Sequence, residues 1–227
     1  RWARAAGTFG EDAHLSAQLV HAYVKGFQGE TLGPSSVATM VKHFSGGGPQ
    51  KDGEDAHFPY GKEQVYPGDN FDYHIIPFEE GAFKAGVAQV MPYYGIPVGQ
   101  TSEDVGFAYS KDIITGLLRE KYEFDGVICS DWGLVTDLTL FGMLFKEASA
   151  WGVEHLSPEE RLLKMLDAGI DQFGGESNPE LLVKLTQQSK VTEQRLDDSV
   201  RRLMLDKFRL GLFDNPYVDE DEVAAIV

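Results

Sequence analysis

The sequence predicts an α/β fold built on a parallel sheet, the later part of a (β/α)8 TIM-type barrel with its early strands missing. Three observations carry this. Helix-like and strand-like periodicities alternate along the chain. The strand-like runs are mainly apolar, as expected of strands covered on both faces. Chemically capable side chains stand where those runs end, the arrangement of a barrel's functional face. Four barrel-type strands are visible in 227 residues, whereas a closed barrel holds eight in roughly 250. A doubly wound sheet fits the alternation too. The strand count favours the barrel, with its beginning upstream of Arg1, and the opening "RWARAAGTFGED" has no initiator Met.

The elements follow in order. Residues 12–27 repeat apolar positions every four (Leu15, Leu19, Tyr23, Phe27), one face of a helix. Residues 36–44, "SVATMVKHF", form a strand that runs into Gly46, Gly47 and Gly48. Residues 45–74 lack periodicity, and loops of that length in a compact domain are commonly functional. Residues 78–86 form a short helix, and 87–91, "VAQVM", a strand stopped by Pro92. Ser110 caps a helix to Glu120 that buries Ile113, Ile114, Leu117 and Leu118. "GVICS" (126–130) is the third strand. Ser157, Pro158 and Glu160 form a capping box with proline at the first helical position. Residues 168–173, "AGIDQF", give the fourth strand. Asn178 and Pro179 start another helix. The last runs from Thr192 to about Leu210 and stops at Gly211.

Composition bounds the function. The net charge of −16 repels phosphate backbones and anionic lipid, so neither nucleic acid nor a membrane surface is expected as a partner. No apolar run has the length of a membrane span. The single cysteine, Cys129, excludes an internal disulfide framework and belongs in the core.

The strand ends supply the chemistry. The first ends in Lys42 and His43, the second leads to Tyr93 and Tyr94, the third ends in Ser130, Asp131 and Trp132, and the fourth at Asp171 before Gly174, Gly175 and Glu176. Taken singly, each has a bland reading: Asp131 a turn former, Trp132 a core aromatic, His57 and His74 surface residues of the long loop. Parallel strands deliver such ends to one face, and together they suggest a sugar site. A carboxylate attacks an anomeric carbon, an indole stacks on the C–H face of a pyranose, and Lys and His donate to hydroxyls.

Several segments resemble glycoside hydrolase family 3, the β-glucosidase and β-xylosidase group. These are "RWARAAGTFGED", "VKHFSGGG", "VAQVMPYY", "FDGVICSDWG", "LLKMLDAGIDQF" and "RLDDSVRRLMLDKFRLGLFDNPY", in the family's order and over nearly the whole chain. The resemblance implies that Asp131 is the catalytic nucleophile. It implies that Arg4, Lys42, His43, Tyr94 and Trp132 bind the sugar. The implied reaction is retaining hydrolysis of terminal β-linked sugars through a glycosyl-aspartate, with no cofactor and no metal. It divides the chain into a partial barrel, 1–213, and an acidic linker, 214–227, leading toward a missing C-terminal domain of the same protein that supplies the acid/base glutamate. The fragment alone is then expected to be inactive, and a periplasmic or secreted setting is plausible from the same resemblance. Three alternatives stay open. The family's β-N-acetylglucosaminidase branch uses an Asp-His acid/base pair, which Asp55 and His57 resemble at a slightly longer spacing. A non-catalytic carbohydrate-binding barrel is a second. A metal-dependent hydrolase using His43, His57 and His74 is a third, although their spacing matches no ligand pattern.

Overall fold

The computed structural model describes residues 4–221 and 223, so residues 1–3 of the opening segment and 222 and 224–227 of the proposed linker lie outside the described residues. The chain forms α1 (Ala13–Gln28), β1 (Met40–Phe44), β2 (Glu63–Gln64) and α2 (Phe71–Ile76), the last continuing into a π-helical segment, Pro77–Phe83. Then come β3 (Gln89–Pro92), β4 (Ile96–Pro97), a π-type helix Asp112–Lys121, β5 (Val127–Ile128) and a hairpin of β6 (Leu138–Leu140) and β7 (Met143–Lys146). Helices α3 (Pro158–Ala168), α4 (Pro179–Gln187) and α5 (Glu193–Arg209) complete it.

The main sheet is parallel, in the order β1-β3-β5. A single parallel bridge from Cys129 to Gln172 adds a fourth stretch of chain. This is the α/β architecture expected, and among the described residues the sheet is open rather than closed into a barrel. The fourth strand is much shorter than residues 168–173. Ala168 still belongs to α3, and Gly169 turns left-handed (φ +116°) to end that helix. The first strand starts at Met40 because Ser36 is held in a turn, its hydroxyl donating to the Gln28 carbonyl and accepting from Gly33 N–H.

Local signals predicted the helix caps well. Ser157 and Glu160 make the reciprocal capping box, and Thr192 and Asp12 cap α5 and α1. Asn178 makes no side-chain cap. Ser110 receives only a long contact from Ile113 N–H (3.4 Å), and the helix after it is wound as a π-helix.

The apolar stripe of α1 is not its buried face. Leu15, Leu19, Tyr23 and Phe27 are exposed, and the buried side is Ala13, Ser16, Ala17, Val24 and Gln28. That side packs on Pro77–Phe83 so closely that a Cβ on Gly81 would sit 2.7 Å from the Ala17 carbonyl oxygen. Only small residues allow such an approach. Gln28 earns its burial by four bonds, donating to Gly86 O and accepting from Thr39 N–H, Thr39 O–H and Ala88 N–H.

Asp171 is a correction. Its carboxylate is wholly buried, but it serves the scaffold. It accepts from Arg119 (2.5 Å), Ile128 N–H (3.0 Å), Ser199 (2.9 Å) and Arg202 (3.0 Å). These bonds tie β5 to the Asp112–Lys121 helix and to α5. The core around them is apolar, with Phe44, Ile114, Leu118, Ile128, Met165 and Ile170 almost inaccessible to solvent. Cys129 is buried and unpaired, as its apolar run implied.

Candidate active site

The C-terminal ends of β1, β3 and β5 open onto a cleft of ≈ 450 Å³. Arg4, Lys42, His43, Tyr94, Asp131 and Trp132 all line it, and so does His57 from the long loop. Asp55 stands behind His57 rather than in the lining. Strict alternation along β1 would send Lys42 and His43 to opposite faces. The pairing register with β3 breaks between Lys42 and Phe44, and that irregularity lets consecutive side chains reach one cleft. Tyr93 is buried, its ring 5.7 Å from the His43 ring.

Asp131 lies just past β5 and is 6% exposed. Its Oδ1 accepts Trp132 N–H at 2.7 Å. Its Oδ2 lies 3.4 Å from His43 Nε2, and among the described residues no group donates a hydrogen bond to it. One oxygen is therefore fixed by the backbone while the other is uncommitted.

Burial pulls the His43 pKa down to about 4; attraction from Asp131 opposes this, and Lys42 and Arg4 reinforce it. His43 is thus an uncharged imidazole at neutral pH. The Tyr94 hydroxyl donates to the Trp132 carbonyl at 2.7 Å, and burial, with Asp131 beside it, holds the phenol well above its ordinary range. Burial also lowers Lys146, against the pull of Asp131 and Asp55. The Lys146 ammonium donates to Ser149 Oγ at 2.6 Å and lies 5.8 Å from the centre of the Tyr94 ring.

Asp55 accepts both the His57 backbone N–H (2.9 Å) and ring Nδ1 (2.5 Å). Burial pushes its carboxyl upward, but these bonds outweigh it and hold the pKa below the ordinary value. In the tautomer that donates Nδ1–H to Asp55, His57 Nε2 is an acceptor. The His57 ring is 4.7 Å from that of Tyr94.

The half-exposed Trp132 indole rests on Gly174 and Gly175. Gly175 is left-handed (φ +64°), and a Cβ there would overlap the indole ring. The next residue, Glu176, reaches back to accept Val135 N–H (2.9 Å), Thr136 N–H (3.2 Å) and Thr136 O–H (2.6 Å), clamping the loop after Asp131. The Gly-Gly-Glu run was visible in the sequence without its role. Lys146 gave no signal at all. Among the described residues no group of three or more His, Cys, Asp or Glu could hold a metal ion. His74 lies in α2 against Tyr66, away from His43 and His57 in the cleft.

A parallel sheet that brings a buried carboxylate, Lys42 with His43, and an open indole to adjacent strand ends defines a β/α domain with a polar cleft. The chain belongs to glycosyl hydrolase family 3: the model of that family's N-terminal domain matches residues 1–205. It is 53% identical over 228 residues to beta-glucosidase C of Emericella nidulans, matching all of this chain and 37% of that protein. It is 43% identical over 242 residues to the periplasmic beta-glucosidase/beta-xylosidase of Dickeya chrysanthemi, again matching 100% of this chain and 37% of the relative. The crystal structure of beta-glucosidase from Listeria innocua superposes with a TM-score of 0.79 at 26% identity, covering 100% of this chain and 29% of that one. The chain thus spans little more than a third of the length of these two curated relatives.

Proposed function

We propose that this chain carries the nucleophile and sugar-binding wall of a retaining, exo-acting β-glycosidase, a β-glucosidase. The observation that carries the reading is Asp131, buried at a strand end with Oδ1 pinned by Trp132 N–H and Oδ2 uncommitted. In the proposed reaction Oδ2 attacks the anomeric carbon. The C1–Oδ2 bond forms as the C1–O bond to the leaving group breaks, and an acid gives that oxygen its proton. Water then displaces Asp131, losing its proton to the same group. Lys42, Arg4 and the uncharged His43 bind hydroxyls, Trp132 lies along the ring, and Tyr94 orients Trp132 through its carbonyl.

Retaining hydrolysis sets the two carboxyls roughly 5–5.5 Å apart. Glu176 is occupied by four hydrogen bonds, from Val135 N–H, Thr136 N–H, Thr136 O–H and the Asn178 amide. In keeping with the family resemblance, we assign the acid/base to a domain reached through residues 214–227, and expect the 227 residues alone to be inactive. A second reading is favoured by one observation: His57, bonded to Asp55, lines the same cleft as Asp131. It would serve as acid/base within the chain, as in a β-N-acetylglucosaminidase. The name of the Dickeya relative supports a periplasmic or secreted setting, and no helix among the described residues is long and apolar enough to cross a membrane.

In the full-length protein, Asp131→Asn should lower release of nitrophenol from aryl β-glucosides at least about a thousandfold. A 2-fluoro glucoside should label the peptide holding Asp131. Retained activity, or a label elsewhere, refutes the assignment. Sugar binding by calorimetry with no turnover of any glycoside would mark a carbohydrate-binding barrel instead.

A further inference from the structure

Lys146 is the last residue of β7, in a hairpin that turns at Phe141 and Gly142, both left-handed (φ 53° and φ 77°). Strand alternation sends the exposed Phe145 to the outer face, and Lys146 lines the cleft that holds Asp131. A lysine ammonium is a compact, strongly hydrated charge, and it usually stays in water or pairs with a carboxylate. Lys146 does neither. It is half-buried, and its ammonium donates to a neutral partner, Ser149 Oγ, at 2.6 Å.

Two anchors hold that charge in place. Ser149 is wholly buried, and its N–H donates to the Gly133 carbonyl at 2.8 Å. The Tyr94 ring centre lies 5.8 Å from the ammonium, and the Tyr94 hydroxyl donates to the Trp132 carbonyl at 2.7 Å. Both anchors therefore end on Trp132–Gly133, the segment that follows Asp131. Burial disfavours the charge of Lys146, and the attraction opposing this comes first from Asp131, then from Asp55. The other groups around Asp131 are engaged or screened. His43 is uncharged, Asp55 is bonded to His57, and Glu176 clamps the loop. Arg4 and Lys42 belong to the sugar in the reading above. Glu147, next to Lys146, is exposed to solvent.

We propose that Lys146 is a positioning residue for the second half of the reaction: its fixed ammonium favours the free Asp131 carboxylate over the glycosyl ester, and so speeds release of the sugar. In that step a water oxygen bonds to the anomeric carbon and the C1–Oδ2 bond breaks. Its electron pair returns to Oδ2, and the water's proton goes to the acid/base. A negative charge thus reappears on Asp131 near a cation that needs no rearrangement to meet it. In the first half the same carboxylate loses its charge, so the ammonium gives no help there. The inference rests on the glycosidase reading above.

The test uses the full-length protein with Lys146→Met and Lys146→Gln, the second able to keep a bond to Ser149 without the charge. After trapping with a dinitrophenyl 2-fluoro glucoside, each variant should regain activity in buffer about tenfold more slowly than the wild type, the worth of one charge in a partly open cleft. On dinitrophenyl β-glucoside kcat and KM should fall together, because the covalent intermediate accumulates, and kcat/KM should stay within about twofold. If Lys146→Met does not fold, Lys146→Gln carries the test. Reactivation of Lys146→Gln slowed by less than about threefold overturns the inference. So does a fall in kcat/KM as large as the fall in kcat, since lost packing around Tyr94 and Trp132 acts in that way. In both cases a label on Asp131 leaves the glycosidase reading standing. A wild type that takes no label and hydrolyses no glycoside overturns both.

Discussion

The buried, uncharged His43 makes folding stability depend on pH in a calculable way. Its side chain is 10% exposed and its folded pKa is about 4, against an ordinary histidine value of 6.5. Between these values the unfolded chain binds a proton that the folded chain does not, so stability rises with pH across that window. The contribution is fully present above about pH 6.5 and is lost as the pH falls toward 4. At full size the shift corresponds to about 3 kcal/mol, and from pH 7 to pH 5 the folded state should lose about 2 kcal/mol through this group. Other groups titrate in the same range, so the measurement is a difference. Urea unfolding midpoints for the wild type and His43→Gln at pH 7 and pH 5 isolate the imidazole. The wild type should lose about 2 kcal/mol more than the variant over that interval. Equal losses would mean that His43 is solvated or paired as a cation. Its NMR titration should likewise show a midpoint near 4.

Two further outcomes follow from described contacts. Asp171→Ala removes the buried carboxylate shared by Arg119 and Arg202 and leaves Ile128 N–H and Ser199 without it, and should lower unfolding stability by about 3 kcal/mol; a loss under about 1 kcal/mol in urea would show that the network contributes little. Gly175→Ala adds a Cβ where the Trp132 indole lies and forces alanine to a left-handed φ of +64°. It should reduce kcat/KM on aryl glucosides about tenfold while shifting tryptophan fluorescence, because a misplacement of about 1 Å can cost far more than that; unchanged kinetics would remove Trp132 from the substrate wall.

The sequence made some of this legible and concealed the rest for physical reasons. Short-range signals read correctly: the capping box at Ser157 and Glu160 depends only on residues three apart. The position of Asp131 just past its strand read correctly too, because an apolar run in a parallel sheet brings the residue after it to the sheet's C-terminal edge. Which face of α1 is buried could not be read. A period-four stripe shows that a helix is amphipathic, but the small-residue face was selected by contact with Gly81, sixty-four positions away from Ala17. Asp171 and Asp131 both follow apolar stretches, and nothing local separates them. Arg119 and Arg202 claim one, while the other lies beside His43 and accepts a backbone N–H. The β6–β7 hairpin was missed because its turn is Phe-Gly and its strands stay exposed, which leaves no inside-outside alternation to read.

The outward stripe of α1 has a consequence for the chain in solution. Leu15, Leu19, Tyr23 and Phe27 lie along one side of a sixteen-residue helix, with the Tyr23 and Phe27 rings 4.9 Å apart. Two molecules that bring such stripes together gain apolar contact, while a net charge of −16 on each holds them apart. The repulsion reaches about 10 Å at 0.1 M salt but only about 3 Å at 1 M. The chain should therefore stay dispersed at low salt and self-associate as salt is added, opposite in sense to a protein held together by ion pairs.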